Sequence, residues 1–253
     1  MKMKKLISVG LVLACAVTLA ACGSKKEGAD DKGEDKKTLV MATNAEFPPY
    51  EFYEGDEIVG IDAEFAAAIA EKLGMELKIE DMAFDSIISA VQGGKADIGV
   101  AGLTVDEKRK KSVDFTDTYY TGRQVIIVTE DSTIAGPDDL EGKKIGVQQG
   151  TTGDQYTTDD YGDENIERFN KGMEAVMSLT QGKVDAVVID DQPAKTFVSQ
   201  NEGLKILETE YIEEDYAMAV KKGNEELVKK VNDAIKALKD DGTFDKIVAK
   251  YIK

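Results

Sequence analysis

From Thr38 onward the chain alternates short runs of apolar and β-branched residues with longer stretches of helical periodicity. That alternation restricts it to α/β folds built on mostly parallel sheets. Strands are expected at residues 39–43, 77–79, 96–100 and 124–129, and again at 144–147, 184–189 and 216–220. Helices are expected at 62–73 and 84–92, after the Gly- and Thr-rich turn 148–153, at 173–181, from 193, at 224–240 and at 243–251. In the first, Phe65, Ala66, Ile69, Ala70 and Leu73 share one face and Gly74 ends it. The helix at 224–240 carries a stripe of Leu227, Val228, Val231, Ala234, Ile235 and Leu238. One stretch occurs twice: Val91-Gln-Gly-Gly-Lys-Ala-Asp-Ile-Gly-Val100 is echoed by Leu179-Thr-Gln-Gly-Lys-Val-Asp-Ala-Val-Val188. Helix end, Gly-Lys turn, aspartate and buried strand recur once in each half. Short αβ turns reuse Gly-Lys often, but the length of the echo favours two similar lobes over one sheet.

The first 37 residues have a different character. Lys2, Lys4 and Lys5 precede an uncharged apolar run, 6–21, which is followed by a polar stretch, 24–37. A basic start, an apolar middle and small residues at the end make a secretory signal. The run is shorter than the roughly 20 residues of a membrane span. Leu19-Ala20-Ala21-Cys22-Gly23 resembles the lipobox of bacterial lipoproteins. The resemblance implies cleavage before Cys22, a lipid on its sulfur, and residence on the outer face of the cell membrane, in the manner of a Gram-positive bacterium. Residues 1–21 are then a lipoprotein signal peptide and 22–37 a disordered stalk.

Composition excludes several classes. The chain has 253 residues and a formal net charge of −17, nearer −20 once the three leader lysines are gone. So acidic a protein repels phosphate backbones, and nucleic acid is not an expected partner. The cysteines are Cys15, in the leader, and Cys22, and there is no histidine. Disulfides, cysteine or histidine metal sites, and Ser-His-Asp or Cys-His catalysis are therefore not expected. No cofactor is implied.

Three motifs point to a family. Ala42-Thr-Asn-Ala-Glu-Phe-Pro-Pro-Tyr-Glu-Phe52 is followed by Val59-Gly-Ile-Asp62. Then comes Ala101-Gly-Leu-Thr-Val-Asp-Glu-Lys-Arg-Lys-Lys-Ser-Val-Asp-Phe-Thr-Asp117, with Tyr119 and Tyr120 after it. From Thr38 to the C-terminus the chain resembles the amino-acid-binding family of periplasmic-type solute-binding proteins, family 3, which feed ABC importers. The resemblance implies a two-lobed α/β fold with two crossover strands, near 119–123 and 213–216. Lobe 1 is then 38–122 and 215–253, and lobe 2 is 123–214. It further implies a monomer that closes on a free amino acid and docks on an ABC transporter permease. No enzyme activity is implied.

The chemistry of an amino acid suggests who would hold it. A carboxylate suits a bidentate arginine with hydroxyl or N–H donors, and the chain offers Arg109 with Thr104 five residues earlier. The residues alone leave a second reading open, in which Arg109 belongs to a solvated Lys-Arg-Lys-Lys run. The resemblance assigns Arg109 and Thr104 to the ligand carboxylate, with Thr151 and Thr152 from the other lobe. Gly-Thr turns also serve simply as helix caps. For the ammonium, Asp190 stands at the end of a buried strand, where α/β sheets bind ligands; Asp191 ranks second, and a helix N-cap is the competing role. The carbonyl of Gly102 is a further acceptor, and Leu103 lies in the same loop. Phe47 and Phe84, with Tyr50 behind them, are expected aromatic walls, although phenylalanine is more often core.

The chain departs from the family at two positions. Asp106 stands where a second hydroxyl is usual, and Asn44 where binders of basic amino acids often carry aspartate. Asn44 and Gln148 favour a polar, glutamine-like ligand, whereas Glu46 favours arginine or lysine. Glu46 is also the one candidate acid for a same-fold enzyme such as a cyclohexadienyl dehydratase.

Overall fold

The computed structural model describes residues 37–208 and 211–252. The expected signal peptide, Cys22 and the stalk up to residue 36 lie outside the described residues. In chain order the first elements are β1 (Thr38–Thr43), β2 (Glu46–Phe47), β3 (Glu51–Glu54), β4 (Glu57–Val59), α1 (Ile61–Lys72), β5 (Glu76–Asp81), α2 (Ile87–Gln92), β6 (Ile98–Gly99), β7 (Val113–Phe115) and β8 (Tyr120–Thr129). There follow β9 (Ile145–Gln148), α3 (Thr152–Tyr161), β10 (Ile166–Phe169), α4 (Gly172–Thr180), β11 (Ala186–Asp190), α5 (Asp191–Gln200) and β12 (Leu204–Ile206). The chain ends with β13 (Ile212–Tyr216), β14 (Ala219–Lys221), α6 (Glu225–Asp240) and α7 (Thr243–Tyr251).

These elements form two α/β lobes. The first sheet runs β5-β1-β6-β14-β7 and the second β10-β9-β11-β8-β12, with β13 added to β8. The expectation of mostly parallel sheets needs correction. β1 is parallel to β5 and β6, and β9 to β10 and β11, but β14 is antiparallel to both its neighbours and β8 to all three of its own. The reason is connectivity. Strands that cross between lobes enter their sheets from the far side, without the helical crossover that a parallel neighbour requires.

The echo seen in the sequence has one physical role in both lobes. Gly94 and Gly182 take positive φ, 73° and 66°, where a glycine ends a helix without steric cost. The aspartate that follows then grips the neighbouring strand. Asp97 Oδ2 accepts from Val40 N, and Asp185 Oδ2 from Lys144 N, both at 2.8 Å. The N–H groups of the same aspartates donate to Val40 O and Lys144 O, also both at 2.8 Å.

Other expectations shift in detail. The helix expected at 84–92 opens as a 3-10 turn over Phe84–Ser86. The strand expected at 96–100 shortens to β6, where Gly99 packs so tightly that a Cβ would lie 2.8 Å from Ile87 Cγ2. The strand expected at 216–220 breaks in two, because Ala217 N donates to Leu103 O and Met218 N to Thr116 Oγ1 as the chain passes from the second sheet to the first. β2, β3 and β4 form a small antiparallel meander that the sequence reading missed. The helical stripes hold. Phe65, Ala66, Ile69 and Ala70 of α1, and Val231, Ala234, Ile235 and Leu238 of α6, are buried. Each large side chain so buried contributes about 1.5–3 kcal/mol.

Candidate functional site

The parallel strands of both sheets point their carboxyl ends at one cleft, the place where open α/β sheets bind ligands. Asn44 follows β1, residues 101–104 follow β6, Gln148 closes β9, and Asp190 closes β11. The cleft is shut. Gln148 Nε2 donates to Asn44 Oδ1 at 2.9 Å, Gln149 Nε2 to Asp85 Oδ2 at 2.8 Å, and Arg109 to Gly150 O at 3.1 Å. Behind these contacts lies a tight cavity of about 10 Å³. Asn44, Phe47, Phe84, Ala101, Gly102, Thr104 and Arg109 line it from one side, and Gln148, Thr151, Thr152 and Asp190 from the other.

Arg109 is 6 % exposed, which removes it from the solvated run. Its backbone N–H donates to Asp106 Oδ1, and its Nε lies 3.1 Å from Asp106 Oδ2. Nη1 donates to Thr104 O at 2.7 Å, and the guanidinium lies over the Phe84 ring at 5.4 Å. Burial pulls the guanidinium below its ordinary pKa, while Asp106, Glu214 and Asp190 oppose that shift. Asp106, in the place of a family hydroxyl, thus anchors the arginine.

On the far side, Thr151 caps α3. Its Oγ1 accepts from Asp154 N at 3.2 Å and donates to Gln148 O at 2.8 Å. Thr152 Oγ1 lies 3.5 Å from Thr104 Oγ1 across the cleft. Asp190 occupies the N-cap position of α5 but makes no side-chain cap bond. Its carboxylate accepts instead from Gln124 Nε2, at 2.8 Å, and from the Tyr216 hydroxyl. Burial and the neighbouring charge of Glu214 push Asp190 up to about 7, against the pull of those two donors. Asp191 takes the outer position, bonded to Gln192 and Lys195.

Gly102 has φ +52°, a conformation open to glycine, and a Cβ there would lie 3.0 Å from the Phe47 ring. Its N–H donates to Asp62 Oδ2 at 2.8 Å, which also accepts from the Tyr119 hydroxyl at 2.7 Å. Burial pushes Asp62 up to about 6, and burial together with the Asp62 charge holds Glu51 well above the usual carboxylate range.

Three expected site residues stand off the lining. Glu46 reaches across the cleft to Lys171 Nζ at 2.5 Å. Tyr50 is fully buried behind Phe47, with ring centroids 5.8 Å apart. Leu103 is buried in the core. The sequence reading missed Ala101, Gln124, Glu214 and Tyr216's contact with Asp190. Gln124 could have been found as a lone amide heading the apolar run 125–128, whereas Glu214 hides in an acidic run. Among the described residues no group of three or more His, Cys, Asp or Glu side chains could hold a metal ion.

Residues 39–253 match the bacterial extracellular solute-binding proteins, family 3. The chain belongs to this family. It is 36 % identical to the arginine-binding extracellular protein ArtP of Bacillus subtilis strain 168 over 248 residues, covering 95 % of each. Two solved structures of an ancestral arginine-binding protein, one bound to arginine and one to glutamine, each superpose with a TM-score of 0.81 at 42 % identity. They cover 86 % of this chain and 99 % and 98 % of theirs. The two-lobed fold is therefore the periplasmic-binding-protein fold, as the motifs implied.

Proposed function

We propose that this protein captures a free L-amino acid between its lobes and passes it to the permease of an ABC importer. Lobe 1 comprises 38–122 and 215–253, and lobe 2 comprises 123–214. Residues 1–21 act as an export signal, and a lipid on Cys22 with a stalk to residue 37 holds the mature monomer at the outer face of the membrane. The observation that carries the reading is that a guanidinium, a carboxylate and two amides line one cavity in the shut cleft. Arg109 grips the ligand carboxylate with help from Thr151 and Thr152. Asp190 and the Gly102 carbonyl take the ammonium. The side chain lies between Phe47 and Phe84 and meets Asn44 and Gln148.

That end of the cavity carries amide groups and no acid, which favours a planar, uncharged head with N–H donors, as in glutamine. A second reading, arginine, is favoured by the likeness to arginine-binding proteins. A guanidinium has the same planar, donor-rich shape and gains from aromatic faces. Glu46, the one acid proposed for an enzyme of this fold, is ion-paired outside the lining, so the binding reading is preferred. A thermal-shift panel of the twenty amino acids tests it. Ligand at about 100 times its Kd adds about 2.7 kcal/mol, which raises the Tm of a domain this size by about 5–10 °C. A rise with glutamine, arginine or both is expected; a flat panel contradicts the reading.

A further inference from the structure

Behind the cavity lining, next to Asp190, lies a second buried acid. Glu214, on crossover strand β13, is 4 % exposed. Its Oε2 accepts from Thr104 Oγ1 at 3.1 Å and from Gln124 Nε2 at 2.9 Å. The same Gln124 nitrogen donates to Asp190 Oδ2 at 2.8 Å. Two buried carboxyl groups thus share one amide donor, and Glu214 Oε1 is buried without a hydrogen-bond partner.

The groups around the pair do not neutralise it. Arg109 faces both acids from the loop after β6, but Asp106 already pairs with it. Tyr156 on α3 faces Glu214 and Tyr216 on β13 bonds Asp190, while Tyr50 and Glu51 face Asp190 from the β2–β3 region and Asp191 from α5. These are hydroxyls or further acids. Two carboxylates that share one amide donor in a dry site cannot both ionise cheaply.

We propose that Glu214 and Asp190 share a proton in the ligand-free protein, so that binding is an exchange in which the ligand ammonium replaces that proton. The inference rests on the amino-acid reading above. The proton leaves a carboxyl group for solvent, and the ammonium enters with its own protons unchanged. The rise of Asp190 toward neutrality fits this arrangement. Glu214 also sets the role of Thr104. With its hydroxyl proton committed to Glu214, Thr104 offers lone pairs to the ammonium and acts as an acceptor there. Glu214 is in this sense a positioning residue.

The sign follows from linkage. A proton must be expelled to bind, so affinity rises with pH through the titration of the pair and levels off above it. A limit of one proton corresponds to tenfold per pH unit on the acid side. The test is calorimetric titration of glutamine and arginine into the purified protein at pH 6.5 and 8.5. Each titration is run in two buffers of different ionisation enthalpy, which gives the protons released per ligand. Up to one proton is expected at pH 6.5 and close to none at 8.5, with weaker binding at the lower pH. Glu214→Gln keeps an acceptor for Thr104 and Gln124, and it is expected to bind with a flat pH profile and no release. Binding to the wild type without proton release at pH 6.5, or undiminished release in Glu214→Gln, overturns the exchange and leaves the amino-acid reading standing. No binding of either amino acid to the wild type overturns both.

Discussion

Burying a guanidinium is costly unless its N–H groups find acceptors. Arg109 meets that condition through Asp106, Thr104 O and Gly150 O, and two of its five N–H groups stay free for a ligand. The side-chain end is the opposite case. Asn44 Nδ2 donates to Met82 O at 2.9 Å, which fixes the amide so that Oδ1 meets Gln148. An acceptor held in place by neutral groups suits a neutral donor and tolerates a cation. Asn44→Asp places a charge at that position. It is expected to move preference from glutamine toward arginine by about tenfold or more, the scale of one charge-assisted hydrogen bond. The ratio of the two dissociation constants checks this, and an unchanged ratio removes Asn44 from specificity.

At the scale of elements, the Gly-Lys-x-Asp turn is the part that both lobes share. Asp97 and Asp185 each tie a helix-to-strand turn to the neighbouring chain, Asp97 to Val40 within β1 and Asp185 to Lys144 just before β9, with matching geometry. Replacing either by alanine removes one hydrogen bond to a backbone N–H, and about 1 kcal/mol of stability goes with it. Near-equal losses in chemical unfolding are expected for Asp97→Ala and Asp185→Ala; a loss confined to one lobe breaks the equivalence. This repeated unit was legible in the sequence because its glycine, aspartate and apolar run each have a local cause. So were the helical stripes, Asp190 at the end of β11, and Thr104 and Arg109 in the motif after β6; the three side chains line the cavity. The β8–β13 pairing and the split between β13 and β14 were not legible. They depend on Tyr216, which fills the space that a Cβ on Gly122 would take, a contact between residues far apart in the chain. Glu214 was hidden for the same reason. In the run Glu213-Glu214-Asp215 only the middle side chain turns inward, and only the pairing register with β8 decides which one does.

At the scale of the whole molecule, the proposed function makes closure the functional event. The groups suited to an amino acid are divided between the lobes, Arg109 and Gly102 on one and Asp190 and Thr152 on the other. A ligand that touches both halves favours the closed arrangement through its differential contacts. Direct contacts across the cleft, Glu46 to Lys171 and Asp85 to Gln149, hold the rim without entering the cavity. They favour closure at little cost to ligand selectivity, since exposed pairs contribute about 0–1 kcal/mol. In the proposed function one amino acid is held inside, with Arg109 on its carboxylate. Calorimetric titration of glutamine and arginine into the wild type and into Arg109→Ala tests it most directly. One ligand per chain is expected for the wild type, and an affinity at least about 100-fold weaker in the variant, as follows when a buried charged partner is removed. No binding to the wild type, or equal affinity in Arg109→Ala, contradicts it.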